Sequence, residues 1–206
     1  TLLAMHVPEL FDVTIASGQT TLHQEYRQRK WMTDSRLKDF AARFLAKLSG
    51  VGLRPRPLEE LLKESKLMTS SEARALGQTA YAQVREFLDR QVASRATIWG
   101  HRSHGDFAPW NCSWTTKGFF VFDWEQSLSW DVALGDAFYF ILGPIVSADR
   151  SPKLAVVESD ALALAATVVG SADLDIEDIR VYWVLWLLRR MKQKPSVLYE
   201  RLLERF

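Results

Sequence analysis

Two histidines, an aspartate and an asparagine lie close together in the stretch HRSHGDFAPWN, residues 101–111. His101, His104 and Asp106, in the spacing H-x-x-H-x-D, are candidate ligands of a catalytic metal ion such as zinc. His104, Asp106 and Asn111, in the spacing H-x-D-x-x-x-x-N, indicate phosphoryl transfer, because that chemistry combines an acidic group with an amide that binds Mg²⁺. The two interpretations predict different enzymes.

The segment after Asn111 predicts a short β-hairpin that ends at a second acidic group. The apolar runs CSW and FFVF flank a TTKG turn, and Asp123 follows the second run. In an antiparallel hairpin, the residue before the first strand and the residue after the second lie side by side, so Asn111 and Asp123 should face the same point. A carboxylate and an amide oxygen suit Mg²⁺ with substrate phosphates, and they suit zinc poorly. Asp106 is then placed to orient an attacking hydroxyl.

HGDFAPWN followed by VFDWE resembles the catalytic loop and metal-binding motif of the aminoglycoside phosphotransferase and choline kinase-like family. Members of this family are small-molecule kinases with a protein-kinase-like fold. The resemblance implies that Asp106 is the catalytic base and that His104 braces the loop. It also implies that Asn111 and Asp123 bind Mg²⁺, with ATP or another NTP as the phosphate donor. Downstream, GDAFYFI resembles the family's helix-opening segment, which implies that Asp136 supports the catalytic loop.

The beginning of the chain resembles the end of a kinase N-lobe. VPELFDVTIASGQTTLHQEY predicts two strands around a Ser17-Gly18 turn. By the resemblance, these are the last N-lobe strands, and Gln24, Glu25 and Tyr26 form the nucleotide-binding hinge.

The expected fold class is therefore α+β with a protein-kinase-like fold. Residues 1–27 are expected to form a partial N-lobe with a two-strand remnant, and residues 28–206 a mainly helical C-lobe. A small β-hairpin insert should carry the catalytic loop at 104–111 and the metal motif at 123–125.

The remaining elements are predicted mainly from helical periodicity. Apolar residues recur at i, i+3 and i+4 in several segments, and polar or glycine residues bound them. The predicted helices are 34–48, 58–66, 71–93, 134–142, 152–169 and 175–192. The segment GVGLRPRP, residues 50–57, is predicted to be a loop.

Composition limits the classes of protein and partner. The 206 residues are 48% hydrophobic, and 26 basic and 25 acidic residues are mixed along the chain, which gives no charged footprint for nucleic acid or an anionic membrane. The single cysteine, Cys112, fits a cytoplasmic compartment. The apolar stretches 137–146 and 181–188 are shorter than the roughly 20 residues of a membrane span and are predicted to be core helices. The expected partners are a nucleotide and a small-molecule hydroxyl acceptor.

A kinase also needs a Gly-rich phosphate loop and a strand lysine, and the sequence shows neither. The only G-x-G, at residues 50–52, follows a predicted helix, and the chain opens at Thr1 without an initiator methionine. We therefore expect a piece of a longer protein that is inactive by itself. A non-catalytic kinase-like binding module is the alternative from another class, and a metal-dependent hydrolase using His101, His104 and Asp106 ranks below it. Aminoglycosides, choline or ethanolamine, amino-acid alcohols and sugars all stay open as acceptors.

Two groups of residues have both a structural and a functional interpretation. The acids of DLDIED, residues 173–178, could line a pocket for cations, but acids before an apolar helix commonly cap it. Trp110, Trp114, Trp124 and Trp130 could form an aromatic box for a quaternary ammonium group, although core packing is the favoured interpretation.

Overall fold

A computed structural model describes residues 10–16, 19–24, 34–68, 70–115, 118–148 and 152–206. This part of the chain is α+β, with long helices and small antiparallel sheets. In chain order the elements are β1 (Leu10–Ala16), β2 (Gln19–Gln24), α1 (Asp34–Ser49), β3 (Arg54–Pro57), α2 (Leu58–Ser65), α3 (Ser70–Ala93), β4 (Thr97–Ser103), a 3₁₀ turn (Pro109–Asn111), β5 (Cys112–Thr115), β6 (Gly118–Val121), β7 (Leu128–Val132), α4 (Gly135–Ser147), α5 (Leu154–Ala172), α6 (Ile179–Gln193) and α7 (Val197–Leu203).

The two N-terminal strands pair as the sequence predicts. β1 and β2 are antiparallel, and Ala16 lies opposite Gln19 across the predicted turn. Gln24 is the last residue of β2, whereas Glu25 and Tyr26 lie outside the described residues. The nucleotide-binding hinge therefore stays a prediction.

A three-stranded antiparallel sheet leads into the polar motif. Its order is β3-β4-β7, and the prediction of a loop over all of residues 50–57 is wrong, because Arg54–Pro57 pairs with the start of β4. The two prolines of RPRP suggested a loop because proline cannot donate to a strand ladder, but an edge strand tolerates it. The prediction also missed β7, which lies on the other side of β4. β4 ends at Ser103, one residue before the candidate catalytic loop.

The helices bury apolar faces around one core. α6 is the most deeply buried, since every residue from 181 to 188 is buried, and α1 contributes the buried residues Ala41, Ala42, Phe44, Leu45 and Leu48. α6 begins at Ile179 and not at the predicted residue 175, because the Asp178 side chain accepts the Arg180 N–H and caps the helix. The predicted 71–93 helix is interrupted at Gly77, where φ is +72°.

Helix α5 is a third apolar helix, which the sequence analysis did not single out as such. By length and composition alone it is apolar enough to cross a membrane. In the structure it packs against α1 and α4. Its buried residues are Val157, Ala161, Leu164, Ala165 and Val168, which form a single stripe at helical spacing.

Candidate active site

The loop between β4 and β5 begins with a turn that requires glycine. Gly105 has φ of +85°, in the left-handed region that other residues rarely adopt. A Cβ at this position would also collide with the backbone carbonyl of Gln126. The Gly105 backbone therefore passes close to the segment that follows Asp123.

Asp136, in the first turn of α4, binds the start of the loop. Its Oδ2 accepts the His104 N–H at 2.7 Å, and its Oδ1 accepts the Gly105 N–H at 2.9 Å. Burial raises the pKa of Asp136, since the side chain is only 5% exposed, and the two N–H donors oppose this effect. Asp136, which the resemblance assigns to support of the catalytic loop, is thus in direct contact with that loop.

His104 joins the loop to the segment that carries Asp123. Its Nε2 donates to the carbonyl of Phe122 at 2.9 Å, because a carbonyl can only accept, and its Nδ1 accepts the Asp106 N–H at 3.3 Å. These bonds assign the neutral tautomer with the proton on Nε2. Both ring nitrogens are engaged, so neither is directed at a metal ion.

Asn111 holds the carboxylate of Asp106. Its Nδ2 donates to the Asp106 backbone carbonyl at 2.9 Å and to Asp106 Oδ2 at 3.0 Å. Because both partners are acceptors, the amide must present its NH₂ group to Asp106, and Oδ1 is left as its acceptor atom. Asn111 is 4% exposed, which limits its side chain to this orientation.

The hairpin brings Asn111 and Asp123 to the same end, as predicted. Cys112 lies opposite Val121, and the Phe122 N–H donates to the Asn111 carbonyl at 3.1 Å. Asp123 is the next residue, with an exposed side chain and φ of +66°. Non-glycine residues in this region are uncommon and cluster at functional sites.

The sequence analysis missed two side chains of the site, Tyr139 on α4 and Arg190 on α6. Burial raises the pKa of Tyr139, and the neighbouring Asp106 carboxylate raises this pKa further. The guanidinium of Arg190 lies 4.4 Å from the centre of the Tyr139 ring and donates to the Gly105 carbonyl at 3.0 Å. These residues are distant from the loop in sequence, so no local motif indicated them.

The alternative zinc site receives no support from the structure. His101 is buried, its Nδ1 donates to the Arg102 carbonyl at 2.6 Å, and burial lowers its pKa. Within the described ranges, no three side chains of His, Cys, Asp or Glu form a group that could hold a metal ion. Asn111 and Asp123 do not belong to such a group, because they offer one amide and one carboxylate.

The four tryptophans near the site pack in separate places and do not form a shared box in the described part of the chain. Trp114 packs on Phe40, Trp124 on His104, and Trp130 under the guanidinium of Arg56. Trp110 is 39% exposed beside α4.

No protein-family model matches this chain, and no curated protein matches its sequence. Its function is therefore inferred from the geometry of the loop and the hairpin.

Proposed function

We propose that this chain is the kinase-like C-lobe, with part of the N-lobe, of an ATP-dependent phosphotransferase that phosphorylates a hydroxyl group of a small molecule. The observation that carries the proposal is the pair of hydrogen bonds from the Asn111 amide to Asp106, on a hairpin that also ends at Asp123. An amide thereby holds an acidic group at one end of a hairpin, and a second acidic residue follows the other strand; phosphoryl transfer uses this combination of groups.

In the proposed reaction, Asp106 orients the acceptor hydroxyl and takes up its proton. The hydroxyl oxygen forms a bond to the γ-phosphorus, the bond from that phosphorus to the β,γ-bridging oxygen breaks, and ADP leaves. The Asn111 amide donates to the Asp106 carboxylate, so the side chain is held in place before the substrate arrives. Positioning of this kind supplies much of the catalysis in phosphoryl transfer.

The residues present fit a magnesium ion. Asn111 Oδ1 and the Asp123 carboxylate would hold it, and both are the hard oxygen ligands that Mg²⁺ prefers. When bound, Mg²⁺ would neutralise charge on the β- and γ-phosphates. The kinase-like fold is supported by the order of α1, β4, the loop, the hairpin and α4, together with the Asp136 contacts to the loop.

The first test is magnesium-dependent nucleotide binding. At a nucleotide concentration of about 100 Kd, binding stabilises by about 2.7 kcal/mol, which corresponds to a rise in Tm of roughly 5–10 °C for a chain of this size. We expect this rise with ATP and Mg²⁺, and we expect EDTA to remove it. Asp123→Asn should remove it too, whereas Asp39→Asn, on the exposed face of α1, should retain it. A rise that is unaffected by EDTA and by Asp123→Asn would contradict the proposed metal site.

The second test separates an enzyme from a non-catalytic binding module. In the complete protein that contains this chain, Asp106→Asn should lower phosphate transfer by about 10²- to 10⁴-fold and leave nucleotide binding intact. Nucleotide binding without any transfer would favour the binding module. Transfer that survives both Asp106→Asn and Asp123→Asn would overturn the proposal.

A further inference from the structure

A cavity of about 340 Å³ lies beside the candidate catalytic loop. It is bounded by the loop at Gly105 and by the last turns of α6, with lining residues that include Gln126, Trp186, Arg189, Arg190 and Gln193. Arg190 connects this cavity to the candidate active site, because its guanidinium donates to the carbonyl of Gly105, the residue before Asp106, and lies over the ring of Tyr139.

Arg190 is a partly buried cation without an anionic partner among the described residues. Its contacts are the Gly105 carbonyl and the rings of Tyr139 and Trp186. Removing a charge from water is costly unless an opposite charge compensates for it. The N–H groups of a guanidinium form a planar fork that matches a carboxylate or a phosphate. An oxyanion bound in this cavity would therefore supply the anionic partner of Arg190.

The carboxylates of the same lining already have partners. Asp131 pairs with Arg189 and also accepts the Val132 N–H, and both oxygens of Asp136 accept loop N–H groups. Gln126 and Gln193 add amide groups. A cationic acceptor such as an aminoglycoside or choline would find no free carboxylate in this described lining, whereas an anion would find Arg190.

We propose that this cavity binds an acidic group of the acceptor, so that the substrate is a small hydroxy compound that carries a carboxylate or a phosphate. Arg190 is the principal ligand of that group, and Arg189 borders the same cavity. This inference rests on the proposed function, because it assumes that the hydroxyl of the same molecule reaches Asp106.

The test is a calorimetric titration of the chain at low salt. The probes are glycerate as a hydroxycarboxylate, glycerol 3-phosphate as a phosphate monoester, inorganic phosphate, and choline as a cation. We expect one of the organic anions to bind and choline not to bind. Arg190→Gln should lower the affinity for the anion at least tenfold, whereas Arg201→Gln, on the exposed side of α7, should leave this affinity unchanged. The stronger organic anion identifies the acidic group.

A second variant covers the case in which Arg190→Gln does not fold. Gln193→Glu changes an exposed residue of the lining, so it should fold, and its negative charge should also weaken anion binding. Equal anion affinity in the parent and in Gln193→Glu would overturn the inference, as would binding of choline in preference to both anions.

Repeating the titration with saturating ATP and Mg²⁺ separates this inference from the proposed function. An acceptor site should bind its anion together with the nucleotide, whereas competition would show that the arginine binds nucleotide phosphates and would overturn the assignment. Nucleotide binding without anion binding would refute only the inference. Anion binding without magnesium-dependent nucleotide binding would remove the proposed function and, with it, the assignment of the cavity to an acceptor.

Discussion

At the scale of single residues, the carboxylate of Asp136 joins helix α4 to the candidate catalytic loop. Both oxygens accept N–H groups in a buried setting. Asparagine would keep one acceptor but turn an NH₂ group toward the other N–H, so that two donors meet. We expect Asp136→Asn to lower the free energy of unfolding by about 2 kcal/mol, the cost of an unsatisfied buried donor, in a urea denaturation experiment.

The matched control for this substitution is Asp39→Asn on the exposed face of α1. It removes the same charge without leaving a buried donor unpaired, so the free energy of unfolding should change by less than about 0.5 kcal/mol. Similar values for the two variants would mean that Asp136 acts only through its charge and does not hold the loop by hydrogen bonds.

The buried imidazole of His101 is expected to make the free energy of unfolding depend on pH. Burial lowers its pKa in the folded chain, whereas Asp136 and Asp131 act in the opposite direction; the unfolded value is about 6.5. Between the two values the unfolded chain binds more protons, so the free energy of unfolding should fall as the pH falls from about 7.5 to about 5.5. His101→Asn keeps a donor for the Arg102 carbonyl and should weaken this dependence in urea denaturation series. An unchanged pH dependence would show that other groups cause it.

At the scale of elements, the loop depends on the backbone conformation of Gly105. Alanine there would be strained at φ of +85° and would collide with the Gln126 carbonyl. We expect Gly105→Ala to lower the free energy of unfolding by at least about 2 kcal/mol, since left-handed backbone alone costs roughly 1–2 kcal/mol. The magnesium-dependent rise in Tm with ATP should be lost as well.

Gly170→Ala provides the comparison for Gly105→Ala. Gly170 lies in helix α5 with open space where a Cβ would stand, so alanine should raise the free energy of unfolding by up to about 1 kcal/mol. The two glycine substitutions are thus expected to change the free energy of unfolding in opposite directions. Destabilisation by both would argue against a special requirement at Gly105.

The elements also show why part of the site was predictable from sequence. The bond between Asn111 and Asp106 spans five residues, and the β5-β6 hairpin follows from adjacent apolar runs, so local rules predict them. Two strands were missed: the prolines of RPRP suggested a loop, and LSWDV was not recognised as a strand although its apolar and polar residues alternate. Arg190 and Tyr139 reach the loop only through the packing of α4 and α6, which no local pattern encodes.

At the scale of the whole molecule, α5 could by composition insert into a membrane, whereas in the structure it packs in the core. Its composition meets the criteria for a membrane span, but its buried residues form one stripe, and its two acidic residues pair with basic residues outside the helix. Glu158 pairs with Arg205, and Asp160 pairs with Lys38 at the N-terminal end of α1. A helix that packs by one face and exposes the other to water should tolerate charge on only one of its two faces.

Ala165 and Ala166 allow this expectation to be tested with one chemical change. Ala165 is fully buried against the core, whereas Ala166 is exposed on the opposite face. We expect Ala165→Glu to lower the free energy of unfolding by more than about 3 kcal/mol, because it buries an unpaired charge, and Ala166→Glu to lower it by less than about 1 kcal/mol. Urea denaturation measures both values, and sedimentation with phosphatidylcholine vesicles shows whether the parent chain binds lipid. Equal effects of the two substitutions, together with binding of the parent to vesicles, would indicate that α5 inserts into a membrane and does not pack in the core.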